Sequence, residues 1–165
     1  MRPACLNKIT AFIFAWIISD ITMATALTTC DATALTYMQK IQIKRFVHQA
    51  KAYVKRNGIQ QASKEFMTSR FIHDNLYIFV IDNKIYSLAN GGRPDFIGKD
   101  LTRISDAQDS AGKIVTKAKQ GGGWVSYHWK DPQTHRLQCK TSWVTPFLKD
   151  SRSNQFYTIG SGINH

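Results

Sequence analysis

Lys140 lies within CKTSWV (Cys139–Val144), a run with β-strand character and no other charge. Shortly before it comes GWVSYHW (Gly123–Trp129), which carries two tryptophans and a tyrosine. A small carboxylate needs one cation, one or two neutral hydrogen-bond donors and apolar walls. Lys140, Tyr127 and Trp129 supply that set. Lys140 would pair with the carboxylate, Tyr127 would orient it and Trp129 would wall it in.

Strand alternation sorts these side chains into faces. Tyr127 and Trp129 share a face with Val125, while Trp124, Ser126 and His128 take the other. In the second run Lys140, Ser142 and Val144 share a face, opposite Cys139, Thr141 and Trp143. Alternation alone does not say which faces align across the turn. Trp124 is read as core. Tyr77 and Phe79 share one face of an earlier strand and either line the pocket or fill the core, and Tyr86 extends the pocket wall.

Other chemistries find little support. Ser161, in Gly160-Ser161-Gly162, lacks the strand–turn–helix setting of a nucleophile elbow. No carboxylate pair stands out for acid–base work. The five histidines (His48, His73, His128, His135, His165) show no close ligand spacing, and there is no Cys-x-x-Cys pair. The expectation is a non-catalytic protein with no metal and no cofactor.

The elements that must hold these residues can be read from periodicity. Leu35, Met38, Ile41, Phe46, Ala50, Tyr53 and Val54 recur at near-helical spacing, predicting a long helix from about Asp31 to Asn57. Asn57-Gly58 stops it, and a short helix carrying Ile59, Ala62 and Phe66 follows. LYIFVID (Leu76–Asp82) and KIYSLA (Lys84–Ala89) read as an antiparallel pair. A turn-rich loop, Asn90–Asp100, and a helix over Asp109–Gln120 come next. The aromatic hairpin turns at Asp131-Pro132, and QFYTIGSGI (Gln155–Ile163) closes the sheet. Five antiparallel strands with segregated helices make an α+β domain.

The first residues read as an export signal. Arg2 and Lys8 precede an apolar stretch, Ile9–Ser19, and Ala24-Thr25-Ala26 offers a cleavage site after Ala26. A signal peptide over 1–26 leaves one domain over 27–165. The alternative is a retained membrane anchor from Ile9 to Leu27. Asp20 argues against it, at roughly 2.5–3.5 kcal/mol near a spanning helix centre. A lipid-attachment box at Leu27–Cys30 fits poorly because Thr29 precedes the cysteine. The expected location is periplasmic or secreted, and Cys5 leaves with the signal. Cys30 and Cys139 then either pair in an oxidising compartment or remain a loose thiol and a buried apolar residue.

Net charge is +11 for 165 residues. Such a surface attracts polyanions, but an exported protein rarely meets nucleic acid. Acidic envelope polymers, anionic lipid headgroups or a carboxylate ligand are the better partners.

Several ordered segments carry a family resemblance: AYVKRNGIQQASKEF, NLYIFVID, FIGKDL, GGGWVSYHW, KTSWV and IGSGI. Together they resemble the single Cache domain family, the extracytoplasmic PAS-like sensor modules of bacterial chemoreceptors and histidine kinases. The likeness runs from about Val47 to Ile163. It implies a five- to six-stranded antiparallel PAS-like sheet, with a long N-terminal helix and short helices on one side. It also implies a sheet pocket for small ligands, often short-chain carboxylates, and the family positions of Tyr127, Trp129 and Lys140 fall there; Tyr77, Phe79, Tyr86 and Trp143 complete the expected site.

There are departures. Asn90 stands where the family commonly has His, Trp143 where it has Tyr, and Cys139 where it has Pro. With the chain ending at His165, the expectation is a stand-alone exported module that binds a short organic acid and works with a separate membrane receptor. The alternative is a basic envelope-associated interaction protein with a vestigial pocket. Its helix, bearing Lys44, Arg45, Lys51 and Lys55, would then dock an acidic component or a membrane surface.

Overall fold

The computed structural model describes residues 30–148 and 155–165. The proposed signal segment, 1–26, lies outside the described residues. A single 3₁₀ turn, Ala32–Ala34, precedes the first long element. That element, α1 (Tyr37–Glu65), opens with a capping box. The Gln39 backbone N–H donates to the Thr36 hydroxyl at 3.3 Å, and the Thr36 N–H donates to Gln39 Oε1 at 2.9 Å. Two of the helix's orphan donors are thereby satisfied, which fixes the start later than the expected Asp31. Gly58 interrupts α1 with φ 77° and ψ 161°. Glycine reaches this region without a Cβ clash, so the predicted stop appears as a kink between two helical segments.

A two-residue pair, β1 (Ile72–His73) with β2 (Leu76–Tyr77), precedes the main sheet. The sheet is built from β3 (Phe79–Asp82), β4 (Ser87–Asn90), β5 (Gly123–Lys130), β6 (Leu137–Leu148) and β7 (Phe156–Asn164). Its order is β4-β3-β7-β6-β5, with every neighbouring pair antiparallel. The chain's last strand therefore sits in the middle. The predicted strand at Lys84 begins only at Ser87, because Ile85 turns the backbone with φ 68°.

Both faces of the sheet are covered. One buries Ile43, Val47, Ala50 and Val54 of α1 against Ile78, Val80 and Ile159. Three rings extend that layer, with Phe66 and Phe71 packed edge to face at 4.8 Å and Tyr53 5.7 Å from Phe71. The other face carries α2 (Gln108–Lys119) and two 3₁₀ turns, Pro94–Phe96 and Leu101–Arg103. Phe79, Ile81, Phe96, Leu101, Ala111, Ile114, Tyr127 and Trp129 form the core between them. The short helices thus gather on one face and the long helix covers the other. Among the described residues, no helix is long and apolar enough to cross a membrane.

Candidate ligand-binding site

The register of the β5–β6 hairpin settles which faces align. Tyr127 lies directly opposite Lys140, and Trp124 opposite Trp143. Tyr127, Trp129, Lys140 and Ser142 therefore share the α2 face. Trp124 and Trp143 share the α1 face, where their rings meet edge to face at 5.3 Å and pack against the core. Lys44 of α1 lies over them, its Nζ 4.3 Å from the Trp143 ring centroid.

A small enclosed cavity forms on the α2 face. Its sheet wall consists of Tyr77, Phe79, Ile81, Asn90, Tyr127, Trp129 and Lys140. Phe96, Leu101, Ala107, Ser110, Ala111 and Ile114 close it from above. Its volume is ≈ 20 Å³, room for about one water. Five of the seven expected residues meet here. Tyr86 does not: it is 43% exposed, in the turn between β3 and β4, where it bridges to Asp100. Trp143 does not either, because it faces α1.

Gly160 makes room for this arrangement. A Cβ there would overlap the Phe79 ring and crowd Val144. With only a hydrogen at that position, the central strand lets Phe79 lie across it and reach the cavity.

The cavity's polar lining is unusual for a protein interior. Lys140 is 1% exposed, and its Nζ has no hydrogen-bond partner. The Tyr77 hydroxyl and the Trp129 indole N–H are likewise buried and unpartnered. Such groups cost about 1–3 kcal/mol each when neutral, and more when charged. The Nζ lies 3.9 Å from the Tyr77 ring centroid and 5.5 Å from that of Trp129, so two π faces supply part of the missing solvation.

Burial pushes the Lys140 ammonium down to about 7, with Asp131 pulling weakly the other way. Asp131 stays committed elsewhere. It accepts from the backbone of Gln133 and Thr134 and from the Asn164 amide. Burial raises its carboxyl, but those bonds outweigh the effect and hold it below its ordinary value. Burial also pushes the Tyr77 and Tyr127 phenols well above their usual range. Tyr127 is already engaged, its hydroxyl 2.8 Å from that of Ser142.

Asn90, expected as a polar departure near the pocket, is buried in the wall, and its Oδ1 accepts from the Arg93 backbone at 3.0 Å. The Arg93 guanidinium stacks on Phe96 at 3.9 Å and forks onto Asp95, which fixes the lid turn over the cavity. Sequence reading missed the contribution of α2. Ala107 at its N-terminal cap and its Ser110, Ala111 and Ile114 fall at i, i+3, i+4 and i+7, a signal that marks a buried face without naming what it covers. Elsewhere the structure joins Cys30 to Cys139 in a disulfide across 109 residues.

A central last strand, one long helix on one face and a buried donor pocket under short helices on the other define a PAS-like domain of the sensor type. The chain belongs to the Cache domain family, whose model matches residues 36–164. Its fold is similar to that of a methyl-accepting chemotaxis protein from Vibrio parahaemolyticus (14% identity, TM-score 0.61, covering 77% of this chain and 88% of that one). A Cache chemosensory domain solved for carboxylic acid recognition is also similar (20% identity, TM-score 0.57, 77% and 93%). So is a periplasmic sensor domain of a chemotaxis protein (21% identity, TM-score 0.52, 73% and 86%). No curated protein matches the chain.

Proposed function

We propose that the chain is a non-catalytic, extracytoplasmic sensor-type domain that binds a short organic acid in the α2-face cavity. The observation that carries this reading is the convergence of three buried polar groups left without a hydrogen-bond partner: Lys140 Nζ, the Tyr77 hydroxyl and the Trp129 N–H. A carboxylate brings two acceptor oxygens and the opposite charge, so it satisfies all three at once. Tyr127, tied to Ser142, and Phe79 give the apolar walls and hold the lysine strand in place. The related fold solved for carboxylic acid recognition supports the ligand class. Export with cleavage after Ala26 completes the proposal.

At ≈ 20 Å³ the cavity is too small for even acetate, so binding must widen it. The elements with least sheet pairing around it are the turns between Gly91 and Asp106, together with α2. A second cavity of ≈ 290 Å³, lined by Gly91, Gly92, Asp131 and Asn164, borders Tyr77 from the other side.

The small volume also favours a second reading, in which the pocket is vestigial and the basic face of α1 docks an acidic envelope component. A thermal-shift series with acetate, propionate and pyruvate separates the two. Stabilisation of wild type that is lost in Lys140→Ala supports the sensor reading. No stabilisation by any of them, with salt-sensitive adsorption to anionic vesicles that charge reversal at Lys44, Arg45, Lys51 and Lys55 removes, supports the second.

A further inference from the structure

On the α1 face of the hairpin, one residue from Lys140 but pointing the opposite way, lies a separate group of side chains. We propose that Cys30, His128 and Cys139 form a redox-gated Cys₂His site for a thiophilic cation of the Zn²⁺ type. This site does not depend on the carboxylate reading.

The two sulfurs and a ring nitrogen of His128 all lie within 4.8 Å of one another. Among the described residues this is the group of Cys, His or acidic side chains close enough to hold a metal ion. Linear spacing hides it. His128 and Cys139 are brought together only because they are directly opposed in the β5–β6 register. Cys30 reaches them from the coil ahead of the Ala32–Ala34 turn. All three are half-buried, which leaves a path for an ion while limiting competition from water.

The chemistry of the donors favours soft or borderline cations. Thiolate sulfur and imidazole nitrogen suit Zn²⁺, whereas Mg²⁺ and Ca²⁺ require oxygen. A tetrahedral zinc, with bonds of about 2.3 Å to sulfur and about 2.0–2.1 Å to nitrogen, spaces its ligand atoms roughly 3.5–4 Å apart. His128 already sits within reach of that spacing. The sulfurs do not, because they are bonded to each other, so the disulfide excludes the metal.

Opening the site takes two balanced steps. A dithiol reductant passes two electrons and two protons to the disulfide, leaving the Cys30 and Cys139 thiols and becoming a disulfide itself. Zn²⁺ then displaces one proton from each thiol and takes the lone pair of neutral His128. Two thiolates cancel the ion's charge, so no net charge is left in the half-buried site. A fourth position stays open to water. Cys139 and His128 are held by the ladder, while Cys30 lies outside any strand or helix and can supply the separation the sulfurs need.

The test uses the full chain without an affinity tag, reduced with a phosphine that is then removed. Competition against a chromogenic chelator is expected to show one Zn²⁺ per chain for reduced wild type and none for the oxidised protein. Co²⁺ should give thiolate charge-transfer and tetrahedral d–d bands. Loss of even a supporting group around a metal costs at least about tenfold in affinity, so His128→Ala is expected to lose no less. Oxidised His128→Ala should melt like oxidised wild type. If reduction loosens the fold, Zn²⁺ should restore the melting transition in wild type and fail to do so in His128→Ala. Either of two results overturns the proposal: no stoichiometric binding or restoration in reduced wild type, or His128→Ala behaving as wild type. The histidine would then be a bystander beside a plain disulfide.

Discussion

Lys140 Nζ sits 3.9 Å from the centre of the Tyr77 ring, fully buried and with no hydrogen-bond acceptor beside it. A ring face attracts an ammonium, but it replaces only part of the hydration that burial removes. The ligand-free domain therefore carries a destabilising residue at the centre of its pocket.

The pH dependence of folding follows from this. The folded-state value of Lys140 is about 7, against an ordinary 10.5. Between those values the unfolded chain holds a proton that the folded chain has released. Stability of the ligand-free protein therefore rises with pH across that window, by up to about 1.4 kcal/mol per unit from this group. Below pH 7 the full penalty is present and constant. Lys140→Met should remove the slope and raise the melting temperature at neutral pH. Urea denaturation of both proteins at pH 7, 8 and 9 isolates the lysine, since all other groups cancel in the difference.

Ligand binding should run the other way. An anion in the cavity requires the ammonium form, so binding takes up a proton once the pH exceeds about 7. Affinity for acetate is expected to fall above that pH, approaching tenfold per unit. Calorimetry in buffers of different ionisation heat should detect the proton uptake directly.

Gly160→Ala should damage both fold and pocket. The new methyl would meet the Phe79 ring and Val144 between packed strands, and overpacking of this kind costs about 1–3 kcal/mol. Chemical denaturation measures that loss, and weakened carboxylate binding should accompany it because Phe79 is a cavity wall.

Trp143→Ala tests the division of faces. Trp143 is half-buried against Trp124 and Lys44, away from the cavity. Substitution should lower stability by at most about 3 kcal/mol, the lower end for buried tryptophan. Carboxylate affinity should be unchanged, whereas a pocket role would predict its loss.

These placements also mark how far the sequence was legible. Alternation correctly put Tyr127 with Trp129 and Lys140 with Ser142, because period-2 order is local. It could not align the two sets, and only the pairing of Tyr127 with Lys140 did so. Tyr86 was assigned to the wall by extending a strand too far; the positive φ of Ile85, unusual for a β-branched residue, turns the chain there. The expected helix start at Asp31 is taken by a separate 3₁₀ turn, whose Thr33 N–H donates to the Asp31 carboxylate, and the helix itself begins at the Thr36-x-x-Gln39 capping box. The α2 wall was out of reach for a different reason. Its periodicity was readable, but which sheet face it covers is decided by tertiary packing.

The most direct measurement of the carboxylate proposal is calorimetric titration of acetate, propionate and pyruvate into wild type and Lys140→Met at pH 6.5. The melting curve of Lys140→Met serves as the check on its folding. The account predicts one site per chain in wild type for at least one of the three, and no detectable heat in the folded variant. Equal binding by a folded Lys140→Met protein, or no binding by wild type, would contradict it.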